Sequence, residues 1–395
     1  MTRHLFFVSL FLSRLADQVL LFLVPLVVFQ VTGSVAWSGV AFTLETLLRF
    51  LAFPVCGALC DRVSPLRLLR VSQLYRAVAC IGGVLAFQVV GGVGWLIALS
   101  AVCGVLTTQG VMAREVMLPQ ICRGHRFEKV LAHAQIADQL GMVLGPLLAS
   151  LLLGWWAWPV AVGVTAALFL LADGALIGWQ RLNTVVLAPP EAAPVHWSQP
   201  VRTAFAHVIK LPGLKKVIAL AAGVNLVIGV TLATSAALVT GLHGQSAAQY
   251  AGLQTAGAVV TVVVLLVVAR RALSLRVLGG LSYGLIVVGG VMTAMGHYAV
   301  YAFGFLLVIG FDKMFSVYLR SLRQKIIPPQ DLGKTTGVIV MLNNLSQPVA
   351  GALVGAFAAG ADANGARAVV LVLVGVMAVI GAVVALTSRR LVVAA

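Results

Sequence analysis

The sequence predicts an all-α membrane protein with twelve transmembrane helices in two six-helix bundles, and three observations carry that reading. Of its 395 residues 61% are hydrophobic and only 10% charged, with a mean hydropathy of +1.05, whereas a water-soluble domain is about 25% charged. Glycine, proline and charge clusters cut the chain into apolar runs of the roughly 20 residues that a bilayer core requires. The runs fall six and six about a proline-rich polar stretch.

In the first half, spans are predicted near Leu5 to Val31, Trp37 to Cys60, Leu66 to Val90, Trp95 to Met117, Val130 to Leu153 and Trp158 to Trp179. From Arg181 to Gly213 the chain carries Pro189, Pro190, Pro194, Pro200 and Pro212 among polar and basic residues, the composition of a linker outside the membrane. Within it, Val201 to Leu211 reads as a short amphipathic interfacial helix with Arg202 and Lys210 toward water. Six more spans follow, near Leu214 to Leu242, Ala247 to Ala269, Leu275 to Met295, Tyr298 to Leu322, Leu332 to Ala358 and Ala366 to Thr387. The expected organisation is therefore a bundle over 1–180, a cytoplasmic linker over 181–213 and a second bundle over 214–395. Met1 to His4 run directly into apolar sequence with no small-residue cleavage site, so a retained first helix is expected.

Charge placement sets the orientation. Twenty-two Lys and Arg residues adjoin the amino terminus, the even-numbered loops with the linker, and the carboxyl terminus. Arg14, Arg49, Arg76 and Lys313 fall inside spans, and Arg367 alone adjoins an odd-numbered loop. This bias places both termini and the linker in the cytoplasm, in a cell membrane, for which a bacterial inner membrane is expected. It also accounts for the net charge of +16: the basic residues are spread over every inner loop to face anionic lipid, and no soluble basic domain exists to hold nucleic acid. Trp155, Trp156 and Trp158 suit an outer aromatic belt.

Cys56, Cys60, Cys80, Cys103 and Cys122 lie in or beside apolar runs without paired spacing, so neither a disulfide framework nor a metal site is implied, and they read as small buried hydrophobes. No phosphate-binding Gly-Lys loop, catalytic triad or zinc spacing appears, which argues against an ATP-driven pump or a membrane enzyme, and no cofactor is expected. Shifting the chain by 202 residues lays Glu128 to Ser150 over Gln330 to Ala352, with Pro146 on Pro348. With the six-plus-six layout this supports an internal duplication.

An ionisable group inside lipid costs at least a few kcal/mol and needs a partner or a function. Arg14 and Asp17 are three residues apart on the first span, and Glu45 and Arg49 four apart on the second, so each pair shares a helical face. Arg76 stands midway along the third span, and Asp312 and Lys313 near mid-depth of the tenth. One reading is neutral structural pairing. The other is a polar cavity in which Asp17, Glu45 or Asp312 exchanges a proton while Arg14, Arg49, Arg76 and Lys313 attract an anion. Asp138 and Asp173, nearer the cytoplasmic ends, are expected to pair with loop arginines. Asn225, Asn343 and Asn344 serve equally as cavity donors or as helix-helix contacts. His133, His243 and His297 are isolated in sequence and are assigned no metal or proton role.

Two motifs connect these features to a family. Gly57-Ala58-Leu59-Cys60-Asp61-Arg62-Val63-Ser64-Pro65-Leu66-Arg67, between the second and third spans, resembles the cytoplasmic loop signature of the major facilitator superfamily. The resemblance implies that Gly57 allows close helix approach and that Asp61, Arg62 and Arg67 gate the carrier by holding its halves together in the outward-facing state. Ser64 stands where the family usually has a second glycine. Gly141-Met142-Val143-Leu144-Gly145-Pro146 in the fifth span is similar to the antiporter signature of exporters in that superfamily, although spaced glycines and a helix-bending proline also serve plain packing. Arg14-Leu15-Ala16-Asp17-Gln18, Val31-Thr32-Gly33-Ser34 and Gly39 further resemble the branch that includes the enterobactin exporter and macrolide efflux proteins. The fourth span lacks the central arginine common in proton-driven drug antiporters; Gln109 and Arg114 are its nearest candidates.

The resemblance implies a monomeric secondary transporter that exports a small amphipathic or anionic molecule, a siderophore or drug, by proton-coupled alternating access. Alternatives within the superfamily are a ferroportin-like metal exporter, a lipid flippase, or an importer of siderophores or nutrients. A non-transporting receptor is opposed by the lack of any extended soluble signalling domain.

Overall fold

The structure is a computed structural model. It describes residues 4–32, 35–92, 94–121, 126–183, 199–271, 273–346, 349–350, 353 and 363–392, without the side chains of 25, 29, 30, 32, 35–46, 236, 237, 240, 247, 248, 363–366 and 388–392. All regular structure among the described residues is helical. The first half forms α1 (His4–Thr32), α2 (Val35–Arg62), α3 (Pro65–Val90), α4 (Gly94–Ile121), α5 (Phe127–Trp155) and α6 (Trp158–Leu182). The second forms α8 (Leu214–Ala236), α9 (Ala247–Arg270), α10 (Leu275–Met292), α11 (Tyr298–Ile326), α12 (Leu332–Asn344) and α13 (Ala363–Val392), with α7 (Gln199–Lys210) between the halves.

Ten of these helices are long and apolar enough to cross a bilayer. The other two predicted spans correspond to α2, which is 28 residues long with Pro54 inside it, and to α12, described as helix only to Asn344. The predicted amphipathic segment is α7, with Pro200 and Ala204 buried and Arg202 and Lys210 exposed. The seventh span ends at Leu242 as expected, but it leaves α geometry at Ala236 and finishes as a π-helix, Ala237–Leu242; apolar periodicity cannot distinguish the two, because only the backbone hydrogen-bond step changes.

Helix ends follow local chemistry. Gly91 and Gly92, at φ +76° and +82°, turn the chain from α3 toward α4 through a left-handed conformation that glycine adopts without a steric cost. Ser246 opens α9 with a reciprocal capping box: Gln249 N–H donates to Ser246 Oγ (3.2 Å), and Ser246 N–H donates to Gln249 Oε1 (2.8 Å).

The chain divides into two compact units. The first comprises Met1–Arg126, His133–Phe205 and Pro328–Val338, and the second Phe127–Ala132, Ala206–Ile327 and Ile339–Ala395. Two short segments are thus exchanged, one at the start of α5 and one leading into α12. The core of the first unit is formed by Val19, Leu23 and Val27 of α1 with Cys80, Leu96, Cys103, Ala149 and Phe169. That of the second joins Val224 and Val227 of α8 to Ile286, Val308, Phe315, Val374 and Met377.

Since lipid is as apolar as a leucine side chain, close packing holds membrane helices together and small residues set how near they come. α10 and α11 cross at Gly289 and Gly304, where a Cβ on Gly289 would stand 2.7 Å from the Gly304 carbonyl oxygen and one on Gly304 2.6 Å from that of Gly289. Neither neighbour is a movable side chain. Gly304→Val should therefore lower stability by about 1–3 kcal/mol, the usual cost of overpacking, read as an earlier thermal unfolding transition in detergent, whereas Gly280→Ala, which meets nothing within 4 Å, should leave it unchanged.

Candidate functional site

The ionisable groups inside the spans separate into a sealed set and an open set. Arg76 of α3 is the centre of the sealed set. Its Nη1 donates to Asp17 Oδ1 at 2.5 Å, its Nη2 to Ser13 Oγ at 3.0 Å and its Nε to the Ser72 carbonyl at 2.9 Å. Thr107 of α4 donates to the same Asp17 oxygen at 2.8 Å, and the guanidinium lies 4.4 Å from the centroid of the Phe169 ring of α6. Only 1% of the Arg76 side chain and 6% of the Asp17 side chain are exposed. Asp17 forms its ion pair across helices with Arg76, not one turn away with Arg14 as the spacing suggested. The partners of this buried pair come from α1, α3 and α4.

The remaining groups of the first unit are partly open. Arg14 retains some exposure, and its Nε has no hydrogen-bond partner. Asp138 accepts from Arg114 Nη1 at 2.5 Å and Asp173 from Arg70 Nε at 3.1 Å, the loop-end pairing expected of both. The Arg49 carbonyl accepts from Thr108 Oγ1 at 3.0 Å. The side chain of Glu45 and the residues Gly33, Ser34 and Gly39 fall outside the described side chains. Gln109 donates to Cys60 Sγ at 3.3 Å. Gly141 and Gly145 bring α5 against α1: a Cβ on Gly141 would stand 2.9 Å from Arg14 Cβ, and one on Gly145 would coincide with the Gln18 side chain. Pro146 lies inside α5 directly after this crossing.

At the end of α2, Asp61 is buried and its carboxylate caps a helix. Oδ1 accepts from the Gly333 N–H and Oδ2 from the Lys334 N–H, both at 2.8 Å. These are first-turn amides of α12, which have no partner within their own helix and carry the positive end of its dipole. The approach depends on glycine. A Cβ at Gly57 would fall on the Gly333 carbonyl oxygen, and one at Gly337 on the carbonyl of Phe53. Lys334 is tied to Asp331 by an ion pair of 2.6 Å. Arg62 has a buried Nη2 without a hydrogen-bond partner, and Arg67 is exposed. Both glycine and aspartate of the loop motif thus act on α12, where the Asp61 carboxylate accepts from two backbone amides.

The open set lies in the second unit. A cavity of about 210 Å³ between α8, α11 and α12 is lined by Asn225, Asp312, Lys313, Ser316, Arg320 and Asn343, with Arg323 and Asn344 at its edge. Lys313 Nζ and Asp312 Oδ2 are 2.6 Å apart, and both side chains keep partial exposure. Asn343 Oδ1 is buried without a hydrogen-bond partner. Three cationic groups therefore face one carboxylate, with amide and hydroxyl groups between them. Asp312, Lys313 and the three asparagines were legible in sequence, but Ser316 and Arg320 were not, since Arg320 was counted with the following loop. The signal was available: Asp312, Ser316 and Arg320 step by four along one helical face.

Two further expectations resolve here. Cys56, Cys60, Cys80 and Cys103 are buried free thiols. His243 is isolated in sequence only: its ring lies 5.2 Å from that of Tyr301 and 5.9 Å from that of Tyr298. Burial first, then the charges of Arg367 and His297, hold its imidazole below the ordinary histidine range. Among the described residues no three His, Cys, Asp or Glu side chains gather as metal ligands.

Removing one member of a buried ion pair leaves an uncompensated charge, at about 3–5 kcal/mol. Arg76→Met should show that loss in denaturation of the detergent-solubilised protein, and the double replacement Arg76→Met with Asp17→Leu should recover most of it. A double variant as unstable as the single one would contradict pairing as the role of Arg76.

No curated protein matches the chain. Among solved structures it is similar to a bacterial homologue of the iron transporter ferroportin in an outward-facing state, at 18% identity over 99% of this chain and 100% of that one, with a TM-score of 0.74. The crystal structure of a bacterial ferroportin homologue with soaked iron gives 17% identity over 98% and 99% of the two chains and a TM-score of 0.75. The human organic anion transporter MFSD10 (TETRAN) gives 18% over 96% and 98%, with 0.73. At such identities these likenesses concern the fold alone. A family model, by contrast, matches residues 6–350, most of the chain: the protein belongs to the Major Facilitator Superfamily and is a multi-pass membrane transporter.

Proposed function

We propose that this transporter exports a small organic anion, of the siderophore or anionic drug class, by proton-linked alternating access, with both termini in the cytoplasm. The observation that carries this reading is the cavity of the second unit, where Lys313, Arg320 and Arg323 face the single carboxylate of Asp312. An excess of cations lining a cavity attracts an anion and repels a metal ion. That charge balance supports the anion reading over the ferroportin-like alternative. The exporter-branch resemblance of the first spans supports the outward direction.

Asp312 and Lys313 supply the coupling. Ionised Asp312 holds Lys313 at 2.6 Å. When Asp312 takes up a proton the ammonium is released to a substrate carboxylate or enolate, and when Asp312 ionises again it reclaims Lys313 and expels the anion. Proton and anion then load together, so they move outward only when the internal excess of the anion exceeds the inward proton gradient. This sign is cotransport, where the resemblance implied antiport. Asp17 has no such freedom, being held by Arg76 and Thr107. The Asp61 cap on α12 acts as the gate: it must open once per cycle, and its two bonds set part of that barrier.

In proteoliposomes loaded with an anionic hydroxamate or catecholate, Lys313→Gln and Arg320→Gln should each raise the KM for efflux about tenfold, the effect of losing one charge-assisted hydrogen bond. Asp312→Asn should abolish the accompanying proton movement. Unchanged KM values in both cation variants, or cation flux in place of anion flux, would overturn the reading. Separately, Asp61→Asn should slow transport several-fold while the protein inserts normally, because the amide can accept from only one of the two α12 N–H groups; wild-type rates would remove Asp61 from the gate.

A further inference from the structure

We propose that the cleft between the first turns of α3 and the last turns of α6 binds an anionic phospholipid, headgroup phosphate at its mouth and one acyl chain along α3. The cleft has a volume of about 350 Å³ and shares no lining residue with the cavity of the second unit. Arg67 and Arg70 stand at its mouth with Ser64 and Gln180, while Val71 and Leu74 form its apolar wall. Arg67 is exposed. Arg70 donates through Nε to Asp173 at 3.1 Å, yet 42% of its side chain remains open. Two guanidinium groups against one carboxylate leave an excess positive charge, which suits a phosphodiester.

Beyond the arginines the surface changes character in one direction. Val71, Leu74, Val78, Ile81 and Leu85 are all exposed. Their spacing of three and four residues lays them in one stripe along α3, a track of about 21 Å at 1.5 Å per residue. Charge at the mouth followed by a continuous apolar track is the pattern of an amphiphile. An inorganic phosphate or a soluble phosphate ester would engage the arginines and leave the stripe unused.

Native mass spectrometry of the full chain, released from a neutral detergent and titrated with phosphatidylglycerol, phosphatidylcholine or glycerol phosphate, tests this. Phosphatidylglycerol should be retained at least fivefold better than phosphatidylcholine, in keeping with one to two interfacial arginine contacts. Arg67→Gln should remove that preference. Val71→Trp, which fills the apolar wall and leaves both guanidinium groups in place, should weaken phosphatidylglycerol retention as well. Both positions are exposed, and an unchanged gel-filtration profile confirms that the variants fold. Arg276→Gln, at an exposed basic position on α10, should change nothing. Equal retention of the two lipids, an equal loss with Arg276→Gln, or indifference to Val71→Trp would overturn the proposal. Displacement of the lipid by equimolar glycerol phosphate would do so too, by showing that a soluble phosphate ester is the ligand.

Discussion

A charge placed in hydrocarbon has to be paired or given water, and that single requirement organises the polar interior of this protein. In the first unit it is met by pairing. Arg76 spends its donors on Asp17, Ser13 and the Ser72 carbonyl and lies against the Phe169 ring, so one side chain of α3 ties together α1, α3 and α6. In the second unit it is met by opening a cavity: Asp312 and Lys313 touch, yet both retain access. The first arrangement fixes helices in register and the second leaves charges free to change partners. The polar interior is thus closed around Arg76 in one half of the chain and partly open around Asp312 in the other.

Glycine has a complementary part. Where charges need contact, backbones must come within reach, and three close helix crossings are glycine-lined: Gly57 against Gly333 and Gly337, Gly141 and Gly145 against α1, and Gly289 against Gly304. At the first of these, contact of the two backbones is what brings the Asp61 carboxylate within 2.8 Å of two α12 amides. A larger residue at Gly57 would separate the helices and leave both the carboxylate and the amides unsatisfied. The glycine and the aspartate of the loop motif are therefore one device.

What sequence reading could reach follows from the same physics. Hydropathy and charge placement are local quantities, so the spans, the amphipathic α7, the Asp61 motif and the polar positions Asp312, Asn225 and Asn343 were legible. Partner choice is not local. Asp17 and Arg76 are separated by 59 residues, and helical spacing favoured the nearer Arg14. Arg320 was hidden by the convention that a basic residue near a span end belongs to the loop, although its register with Asp312 put it in the cavity. The π-helix at Ala237–Leu242 left no trace, because a change of one residue in the hydrogen-bond step does not alter which residues are apolar.

The exchanged segments give the duplication a physical meaning. A shift of 202 residues carries Phe127, where α5 begins, onto Pro329, where the short 3₁₀ turn before α12 begins. Each of these starts belongs to the unit opposite to the rest of its half. The contacts they make are related but unequal. Pro328–Val338 is held by a buried carboxylate accepting from two amides at 2.8 Å. In Phe127–Ala132 an exposed bond runs from Lys129 Nζ to the Arg270 carbonyl at the end of α9, at 3.4 Å. Both follow the helix dipole, an anion at an N-terminus and a cation at a C-terminus. Burial and bond length make the first much the stronger, because an exposed bond competes with water while a buried one does not. The Arg270 to Arg276 loop carries no acidic residue, so it offers no carboxylate to cap a helix as Asp61 caps α12.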